Sequence, residues 1–308
     1  MYEAKGAYTL ADGGFREAYD PIIYDHLNSD ATFYALAKKE AADSTTYNFY
    51  ARVSRNNMVG PVYSTESLVG GSAGKLQLTH QLKQYRAAVA IEDAVVLEAQ
   101  KNGIDGLTNA FAKELEWALL DLAKDLNGSF FGSGLTDGFG NAVDGLTGLL
   151  SASGSVYGKA RATYTTLAAI VSTSVGAFTL AKARAEITKA RKAGARNLAI
   201  FTTWEVRGYF LALMDASRQY TSTDPNAGFV GQLMYDGIPI IADADCTSGY
   251  MYVLDRDAYH VAEFKKFGLG KYLGDTTLTS TKYIWGILDL VFTRFNTSVI
   301  ATGITANA

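Results

Sequence analysis

The chain has 308 residues, of which 28 are basic and 31 acidic, so its formal net charge is −3. This balance excludes the strongly basic surface with which sequence-reading nucleic-acid proteins bind phosphates. Cys246 is the single cysteine, which excludes an intrachain disulfide framework and a cluster of thiolate metal ligands. A chain of this length buries roughly three quarters of its surface on folding, so it can form a core without either.

Charged residues make up 19% of the chain, below the roughly 25% of ordinary soluble domains. The 19 tyrosines are of a type enriched at protein interfaces. The longest uncharged run, residues 162–181, is rich in Ser, Thr and Gly rather than Leu and Ile, which argues against a membrane span. The first residues do not have the pattern of a signal peptide. We therefore expect a cytosolic, self-associating protein with no membrane contact; a glycine-rich monomer with a polar, uncharged surface is the alternative.

The first ninety residues predict an arm followed by a long flap. Residues 1–46 lack a clear period apart from a short helix around Phe33. Apolar and polar residues then alternate over 47–53 and again over 76–91, which is typical of strands with one covered face. The glycine-rich segment 70–74 lies between the two runs. Two strands alone have too little core for independent stability, so we expect this flap to lie on another surface.

The strongest helical pattern follows the flap. A first helix is predicted to end at Gly103. A second, over 106–127, carries leucines at three- and four-residue steps and is predicted to end at Gly128. Its length is about 33 Å, the diameter of a domain. A glycine-rich link covers 128–160.

The remaining predicted helices and strands lie in a second region, from about 161 to 276, and in a C-terminal tail. They comprise a helix capped by Thr179 and stopped by Gly194, a buried strand over 197–201, and a helix opened by the capping box Thr202–Glu205. They continue with strands over 229–234 and 238–242 joined at Asp236-Gly237, a strand pair over 250–254 and 259–264, and a closing strand pair over 283–302. Segregated helices and strands predict an α+β fold with a mostly antiparallel sheet.

One segment matches a catalytic pattern. Gly70-Gly71-Ser72-Ala73-Gly74 has the spacing of a nucleophile elbow, which requires a strand before the serine and a helix after it. Here strand-like residues follow. The chemistry also requires a downstream acid and histidine, and the surroundings of His260 are not distinctive. A serine hydrolase using Ser72 is therefore the alternative from another functional class.

The candidate phosphate-binding loops and metal ligands do not have the residue spacing that such sites require. Gly74-Lys75 and Gly270-Lys271 lack both the preceding glycine and the following Ser or Thr of a phosphate-binding loop. Asp243 and Asp245 share a strand face and could hold a divalent ion, but such a pair is more typical of a solvated strand end. The histidines do not form a helical ligand pair; they are His26, His80 and His260. We expect no catalytic residue, no cofactor and no metal.

Four stretches, in their order along the chain, resemble parts of one known family. They are Gln84–Asp93, Glu114–Gly128 followed by Asp144-Gly145-Leu146, Thr203–Val206, and Gly231–Ile240. Together with the arm, flap and long helix, they resemble the major capsid protein of tailed bacteriophages, whose Hong Kong-type capsid fold is shared with encapsulins. The resemblance covers nearly the whole chain.

The resemblance implies four parts. Residues 1–46 would form an N-terminal arm and 47–90 an extended β-hairpin loop. Residues 91–150 and 277–308 would form a peripheral domain with the long spine helix, and 151–276 an axial domain with a mixed, mostly antiparallel sheet.

It also implies a structural subunit rather than an enzyme. Such a subunit self-assembles into hexamers and pentamers of an icosahedral head that encloses double-stranded DNA without sequence-specific binding. Scaffolding, portal and decoration proteins would be its partners, and the virion, assembled in the host bacterial cytoplasm, its location. An encapsulin-type nanocompartment shell is the alternative within the same fold. The candidate assembly contacts are Gly70, Gly71, Gly74, Lys75, Arg86, Glu114 and Trp204.

Overall fold

The computed structural model describes residues 31–54, 56, 58–60, 70–92, 104–134, 143–217, 233–269 and 279–306. Its helices are α1 (Thr32–Leu36), α2 (Ile104–Phe131), α3 (Leu146–Leu149), α4 (Leu180–Lys192) and α5 (Trp204–Ser217), with a 3₁₀ turn over Thr165–Leu167. The strands of the first half are β1 (Lys39–Ala41), β2 (Thr46–Arg52), β3 (Lys75–Gln81), β4 (Lys83–Glu92), β5 (Ser155–Val156), β6 (Lys159–Ala160), β7 (Ile170–Ser172) and β8 (Gly176–Ala177). Those of the second half are β9 (Leu198–Thr202), β10 (Met234–Tyr235), β11 (Ile238–Ala242), β12 (Met251–Asp255), β13 (Tyr259–Leu269), β14 (Thr279–Phe292), β15 (Val299–Ala301) and β16 (Ile304–Thr305).

Two larger sheets organise the chain. One has four strands in the order β1-β13-β14-β4, and the other has six in the order β10-β11-β9-β12-β15-β7. The pairs β1–β13, β11–β9 and β15–β7 are parallel, and the other pairs in these two sheets are antiparallel. The pairs β2–β3, β5–β6 and β8–β16 form small separate sheets. The mixed, mostly antiparallel sheets, together with the helices packed on them, confirm the predicted α+β class.

The long helix α2 confirms the predicted spine and extends beyond it. It has 28 residues, about 42 Å, and buries Leu115, Leu119, Leu122 and Leu126 along one face. The predicted stop at Gly128 is wrong, since the helix continues to Phe131. A glycine within a helix costs about 1 kcal/mol, less than the burial of one phenylalanine side chain provides. The aromatic residues at the end of α2 are almost fully buried, so their packing outweighs the glycine.

Part of the predicted arm belongs to the core. Phe33 on α1 is fully buried, and its ring centroid lies 5.2–5.6 Å from those of Phe130, Phe131, Phe201 and Tyr259. The strand β1 then pairs with β13. Residues 31–41 of the predicted arm are therefore held by the aromatic cluster and by β13, whereas residues 1–30 lie outside the part of the chain that the structure describes.

Two predicted strand pairs do not form. The strands over 250–254 and 259–264 both exist, as β12 and β13, but they belong to different sheets. The same is true of β14 and β15, which replace the predicted closing pair over 283–302. Alternating apolar residues indicate that a strand has a covered face, whereas the partner strand depends on tertiary packing.

These pairings also cross the predicted domain limits. The strand β13 lies beside β14 and β4, although it precedes residue 276, and β15 lies in the six-stranded sheet, although it follows that residue. The chain therefore passes between the two sheets more often than a single boundary at 276 implies. The limits of the four parts stay a prediction.

Two local signals, in contrast, are confirmed, at α4 and at Asp236-Gly237. The Thr179 hydroxyl accepts a hydrogen bond from the Lys182 amide (3.2 Å) at the start of α4. Gly194, just beyond its end, has φ +99°, which glycine adopts without strain. The turn Asp236-Gly237 joins β10 to β11 with positive φ at both residues, as a two-residue hairpin requires.

The capping box Thr202–Glu205 is wrong by one residue: the Thr202 hydroxyl donates to the Tyr250 carbonyl (2.9 Å), and Thr203 Oγ1 accepts from the Val206 amide (3.3 Å) at the start of α5. The predicted elements over 94–103 and 229–232 lie outside the described residues.

Candidate assembly surfaces

The extended loop is an antiparallel hairpin with one face on the body of the chain. Its strands β2 and β3 pair in continuous register from Thr46–Gln81 to Arg52–Lys75. Phe49 and Leu78 point inward and are buried, and the Phe49 ring lies 5.3 Å from that of Tyr157. The strand β4, predicted as a continuation of the loop's return strand, pairs instead with β14 in the four-stranded sheet. The two-stranded part of the loop thus ends at Gln81.

The glycines near the end of the loop allow close packing. The Asn56 amide donates to the Gly71 carbonyl (3.0 Å), and its oxygen accepts from the Met58 amide (3.0 Å). A Cβ at Gly71 would lie 2.2 Å from that Asn56 oxygen and 2.6 Å from the Met58 Cβ. The Ser54 hydroxyl accepts from the Gly74 amide (2.9 Å), and a Cβ at Gly74 would lie 2.4 Å from it. A larger residue would therefore displace these bonds.

A buried polar cluster fastens the root of the loop to the body. His80 Nε2 on β3 lies 2.9 Å from Asp289 Oδ2 on β14 and 3.8 Å from Asp144 Oδ2. All three side chains are at most 3% exposed. The other oxygen of Asp289 accepts from the backbone amides of Asp144 (2.9 Å) and Leu290 (2.8 Å). These bonds join the loop, the segment before α3 and the four-stranded sheet.

The sequence contained one signal for this cluster. His80 stands at an inward position of the alternating run that also contains Leu78 and Leu82, and a histidine at an apolar position requires a polar partner. The identity of that partner, 209 positions away, cannot be read from local spacing. The three side chains also bring a nitrogen and two carboxylate oxygens within 4.8 Å of one another, the donor set by which they could hold a cation.

The other strand of the loop, β2, also forms hydrogen bonds to the body of the chain, at the position opposite His80. Tyr47 is the cross-strand partner of His80. Its hydroxyl donates to Glu40 Oε1 (3.0 Å) and lies 3.2 Å from His260 Nε2 on β13. Burial and the Glu40 carboxylate raise the pKa of Tyr47 to about 12. Both loop strands are therefore fastened to the four-stranded sheet through a histidine.

We expect the stability of the protein to fall as the pH is lowered through the range in which histidine titrates. Burial and, more weakly, Lys38 lower the pKa of His260, while Glu40 opposes them. The native state therefore binds this proton less readily than the unfolded chain, whose histidine pKa is about 6.5. The contribution of neutral His260 to the free energy of unfolding is present above about pH 6.5. It is lost as the pH falls towards the lower pKa that His260 has in the native state.

Urea unfolding of the wild type and of His260→Gln at about pH 7.5 and about pH 5 measures this effect. The variant should lose less stability between the two values than the wild type does. Equal losses would show that other groups cause the pH dependence.

The seven predicted assembly contacts are surface or half-buried positions on the loop, β4, α2 and α5. Gly70, Gly71, Gly74 and Lys75 lie in the segment that leads into β3, where Gly71 and Gly74 face residues 54–58 of the other loop segment. Arg86 lies on β4 and lines a groove of about 720 Å³ against α2, in which the Tyr85 hydroxyl is hydrogen-bonded to Asp125. Glu114 is exposed on α2. Trp204 is 60% exposed at the start of α5, with the Arg207 guanidinium 5.2 Å from its ring centroid.

Large apolar side chains that are not among the seven predicted contacts are exposed near these positions. On the extended loop they are Tyr50, Met58 and Val59, at 65%, 53% and 79% exposure. On α2 they are Trp117 and Leu120, at 57% and 42%. Helical periodicity places these two residues outside the leucine stripe of α2. Their exposure could therefore have been predicted from the sequence. Clustered exposed apolar side chains mark interaction surfaces.

The two aspartates considered as metal ligands have a structural partner. The Asn127 amide nitrogen lies 2.9–3.0 Å from both oxygens of Asp243 and from Asp245 Oδ2. The Asn127 oxygen accepts from the Phe33 amide (3.1 Å). Asp243 is only 4% exposed, so the expectation of a solvated strand end is wrong for it. These bonds tie α1 and the end of α2 to the residues after β11.

The surroundings of Ser72 do not match a nucleophile elbow. Ser72 is exposed and precedes the strand β3 rather than a helix. His80 lies eight residues further along, about 26 Å in an extended strand, and is bonded to Asp289. His260 is bonded to Tyr47. Tyr47 is the cross-strand partner of His80, so both histidines of the described chain lie beside position 80 rather than beside Ser72. No helix within the described residues is long and apolar enough to cross a membrane.

Sequence comparisons do not assign the chain to a family, but structural comparisons do identify its fold. No family model and no curated protein matches the sequence. The structure is similar to the capsid asymmetric unit of cyanophage A-1(L), with a TM-score of 0.73 and 18% identity over 90% of this chain and 93% of that one. It is also similar to the capsid of the native GTA particle, with a TM-score of 0.62 and 12% identity over 90% and 91%.

A virus-like particle from Pyrococcus furiosus matches less closely, with a TM-score of 0.54 and 9% identity over 93% of this chain and 99% of that one. These identities are low, but the likeness extends over nine tenths of every chain compared. The order of loop, long helix and two sheets described above is therefore shared with these chains over most of their length. The chain has the Hong Kong-type fold of tailed-phage major capsid proteins.

Proposed function

We propose that this chain is the major structural subunit of a phage head and has no enzymatic role. Copies assemble as hexamers and pentamers into an icosahedral shell that encloses double-stranded DNA without reading its sequence. The protein is thus part of the virion, formed in the cytoplasm of the host bacterium. Scaffolding, portal and decoration proteins are the expected partners.

The observation that carries this proposal is the extended loop. Its inner face is covered by the chain's own body, while Tyr50 and Val59 stand in solvent. A monomer gains nothing from exposed apolar side chains at the end of a two-stranded hairpin, whereas a neighbouring copy can bury them. Repeated contacts between unlike surfaces of identical subunits close into rings and shells. The division into arm, extended loop, peripheral domain and axial domain, and the seven predicted contacts, belong to this proposal.

Sedimentation and negative-stain microscopy of the purified chain test the proposal. We expect closed particles of uniform size for the wild type, with scaffolding protein added where assembly requires it. The double variant Tyr50→Glu/Val59→Glu should remain folded, because both side chains are exposed, and should form no particles. A charged side chain buried without a partner in a contact between copies weakens their association by several kcal/mol. Because the same contact occurs many times in each shell, the loss is multiplied.

The matched control is Thr173→Glu/Ala177→Glu, which adds the same two charges at exposed positions of β8 and the segment before it. It should assemble like the wild type. A wild-type chain that stays monomeric under all these conditions contradicts the proposed function. Particles of normal yield from the double variant would show that the loop is not a contact between copies.

An encapsulin-type shell is the second candidate, since the particle from Pyrococcus furiosus is among the similar structures. The higher TM-score with the cyanophage capsid favours the phage head. The contents of native particles separate the two: DNA indicates a phage head, and an enzyme cargo indicates a compartment. The hydrolase alternative is tested by an esterase assay, in which turnover abolished by Ser72→Ala would overturn the structural role.

A further inference from the structure

The outward face of α4 is the most basic helical surface among the described residues. Arg184, Lys189, Arg191 and Lys192 are exposed on the helix, and Arg196 is exposed just beyond it. Between them lie only small side chains; the exposed ones are Ala181, Ala185 and Thr188. The whole chain, by comparison, has a net charge of −3.

Two of these basic side chains are already paired. The ammonium of Lys189 lies 2.9 Å from Glu186, and the guanidinium of Arg191 lies 2.6 Å from Asp236. The other three, Arg184, Lys192 and Arg196, form no ion pair within the described chain; the Arg184 guanidinium lies 5.9 Å from the ring centroid of Tyr235. The face therefore retains an excess of about three positive charges.

The shape of this face suits an extended polyanion. A shallow groove of about 390 Å³ is lined by Ala181, Arg184, Ala185, Thr188, Lys189 and Lys192. Arg184, Thr188 and Lys192 stand four residues apart, so their donors repeat about every 6 Å along the helix. The short side chains between them allow a backbone to approach closely.

The chemistry favours nucleic acid over a second protein. Protein interfaces derive most of their affinity from large buried side chains such as Trp, Tyr and Arg set in apolar surroundings. The α4 face has no exposed large apolar side chain, in contrast to α2, where Trp117 and Leu120 are exposed beside Glu114 and Glu116. Lysine, arginine and hydroxyl donors without an apolar anchor are typical of contacts with the sugar–phosphate backbone.

We propose that the outward face of α4 binds the phosphate backbone of the enclosed double-stranded DNA without sequence preference. This proposal rests on the proposed function, because the DNA is the content of the proposed shell and α4 would have to face its interior. The basic groups of α4 neutralise phosphates locally, while the acidic excess elsewhere on the chain keeps the DNA from adhering over the whole surface.

Binding of a fluorescent duplex of random sequence to the purified full-length chain, measured over a range of salt concentrations, tests the proposal. In the triple variant Arg184→Gln/Lys192→Gln/Arg196→Gln, we expect affinity at low salt to fall by about tenfold or more. The slope of log affinity against log salt should fall by about 3, because each lost phosphate contact removes about 0.9 from it. The thermal midpoint should not change, because the three side chains are exposed.

The matched control is Lys38→Gln/Lys124→Gln/Lys266→Gln, which removes three positive charges from exposed positions elsewhere. It should bind the duplex almost as tightly as the wild type. Equal binding by the two triple variants, or a wild-type chain that does not bind the duplex, would overturn the proposal.

Particle formation by the α4 variant separates this proposal from the proposed function. Shells of normal yield with weakened DNA binding support both. A variant that binds DNA normally but forms no shells would show that the face contacts another copy of the chain. Failure of the wild type to assemble contradicts the shell function but leaves the duplex assay as an independent test of the α4 face.

Discussion

Replacing Arg161 with methionine should lower the free energy of unfolding by about 3 to 5 kcal/mol. Arg161 is only 2% exposed, and its guanidinium donates to backbone carbonyls on several sides. The shortest bonds reach Ser153 and Leu149, both at 2.8 Å, and a third reaches Leu167 at 3.2 Å. Longer ones reach Ser155 and Gly148.

The effect is large because the segment around Arg161 has little regular structure. Between α3 and β7 the structure has only the two-residue strands β5 and β6 and one 3₁₀ turn. The guanidinium satisfies carbonyls that a helix or sheet would otherwise satisfy, and each carbonyl left buried without a donor costs about 1–3 kcal/mol. Methionine preserves much of the apolar stem but none of the donors. Lysine preserves the charge, but a single nitrogen cannot reach carbonyls in so many directions.

Urea unfolding measures the difference, and Arg191→Met is the matched control. The Arg191–Asp236 pair is about half exposed on both sides, so its loss should cost less than about 1 kcal/mol. We expect Arg161→Lys to fall between the two. A cost for Arg161→Met as small as that of Arg191→Met would show that water replaces the guanidinium in the variant.

Predictions that depend on local chemistry were largely confirmed. A threonine cap and a following glycine predicted the limits of α4 to within one residue, because the groups that satisfy a helix end lie next to it in sequence. The hairpin at Asp236-Gly237 was predicted for a similar reason, since the turn residues themselves must adopt positive φ. In both cases the information needed lies within a few residues.

Predictions that depend on distant partners failed or were missed. The strands β12 and β13 were located correctly, but their partners lie in other parts of the chain. A short helix around Phe33 was predicted, but the aromatic residues that surround Phe33 in the core come from α2, β9 and β13, which local spacing does not reveal. Arg161 precedes a long uncharged run in the sequence, and its burial depends on carbonyl groups whose orientation only the folded backbone defines.

The candidate assembly surfaces also include features that local sequence predicts and features that depend on distant residues. The small residues of the loop end were predicted from composition, although the structure gives them a packing role at Gly71 and Gly74. The root of the loop was not predicted, because His80, Asp144 and Asp289 are brought together from three distant segments. The order of parts along the chain predicted the fold better than any single motif did.

Replacing His80 with phenylalanine should lower the free energy of unfolding by about 3 kcal/mol and loosen the extended loop. Phenylalanine preserves the ring contact with Tyr157, whose centroid lies 4.9 Å away, but removes the nitrogen bonded to Asp289. One oxygen of the fully buried Asp289 then has no histidine partner. Glutamine at position 80 can still donate, so His80→Gln should recover part of the loss.

A double-mutant cycle with Asp289→Asn isolates this interaction. The double variant should cost less than the sum of the single variants, because each single change already breaks the same bond. His260→Phe is the control at the other loop strand. Its cost should be smaller, because the Tyr47 hydroxyl that it releases is still bonded to Glu40.

Amide hydrogen exchange shows whether His80→Phe loosens only the extended loop or destabilises the whole chain. If the His80–Asp289 bond holds the loop, amides of β2 and β3 should exchange faster in His80→Phe at pH and temperature where β9 and β12 keep their wild-type protection. Uniformly faster exchange in both regions would mean that the cluster stabilises the whole chain. Unchanged exchange in β2 and β3 would mean that the apolar contacts of Phe49 and Leu78 suffice to hold the loop, and that a neighbouring copy meets a hairpin positioned by packing alone.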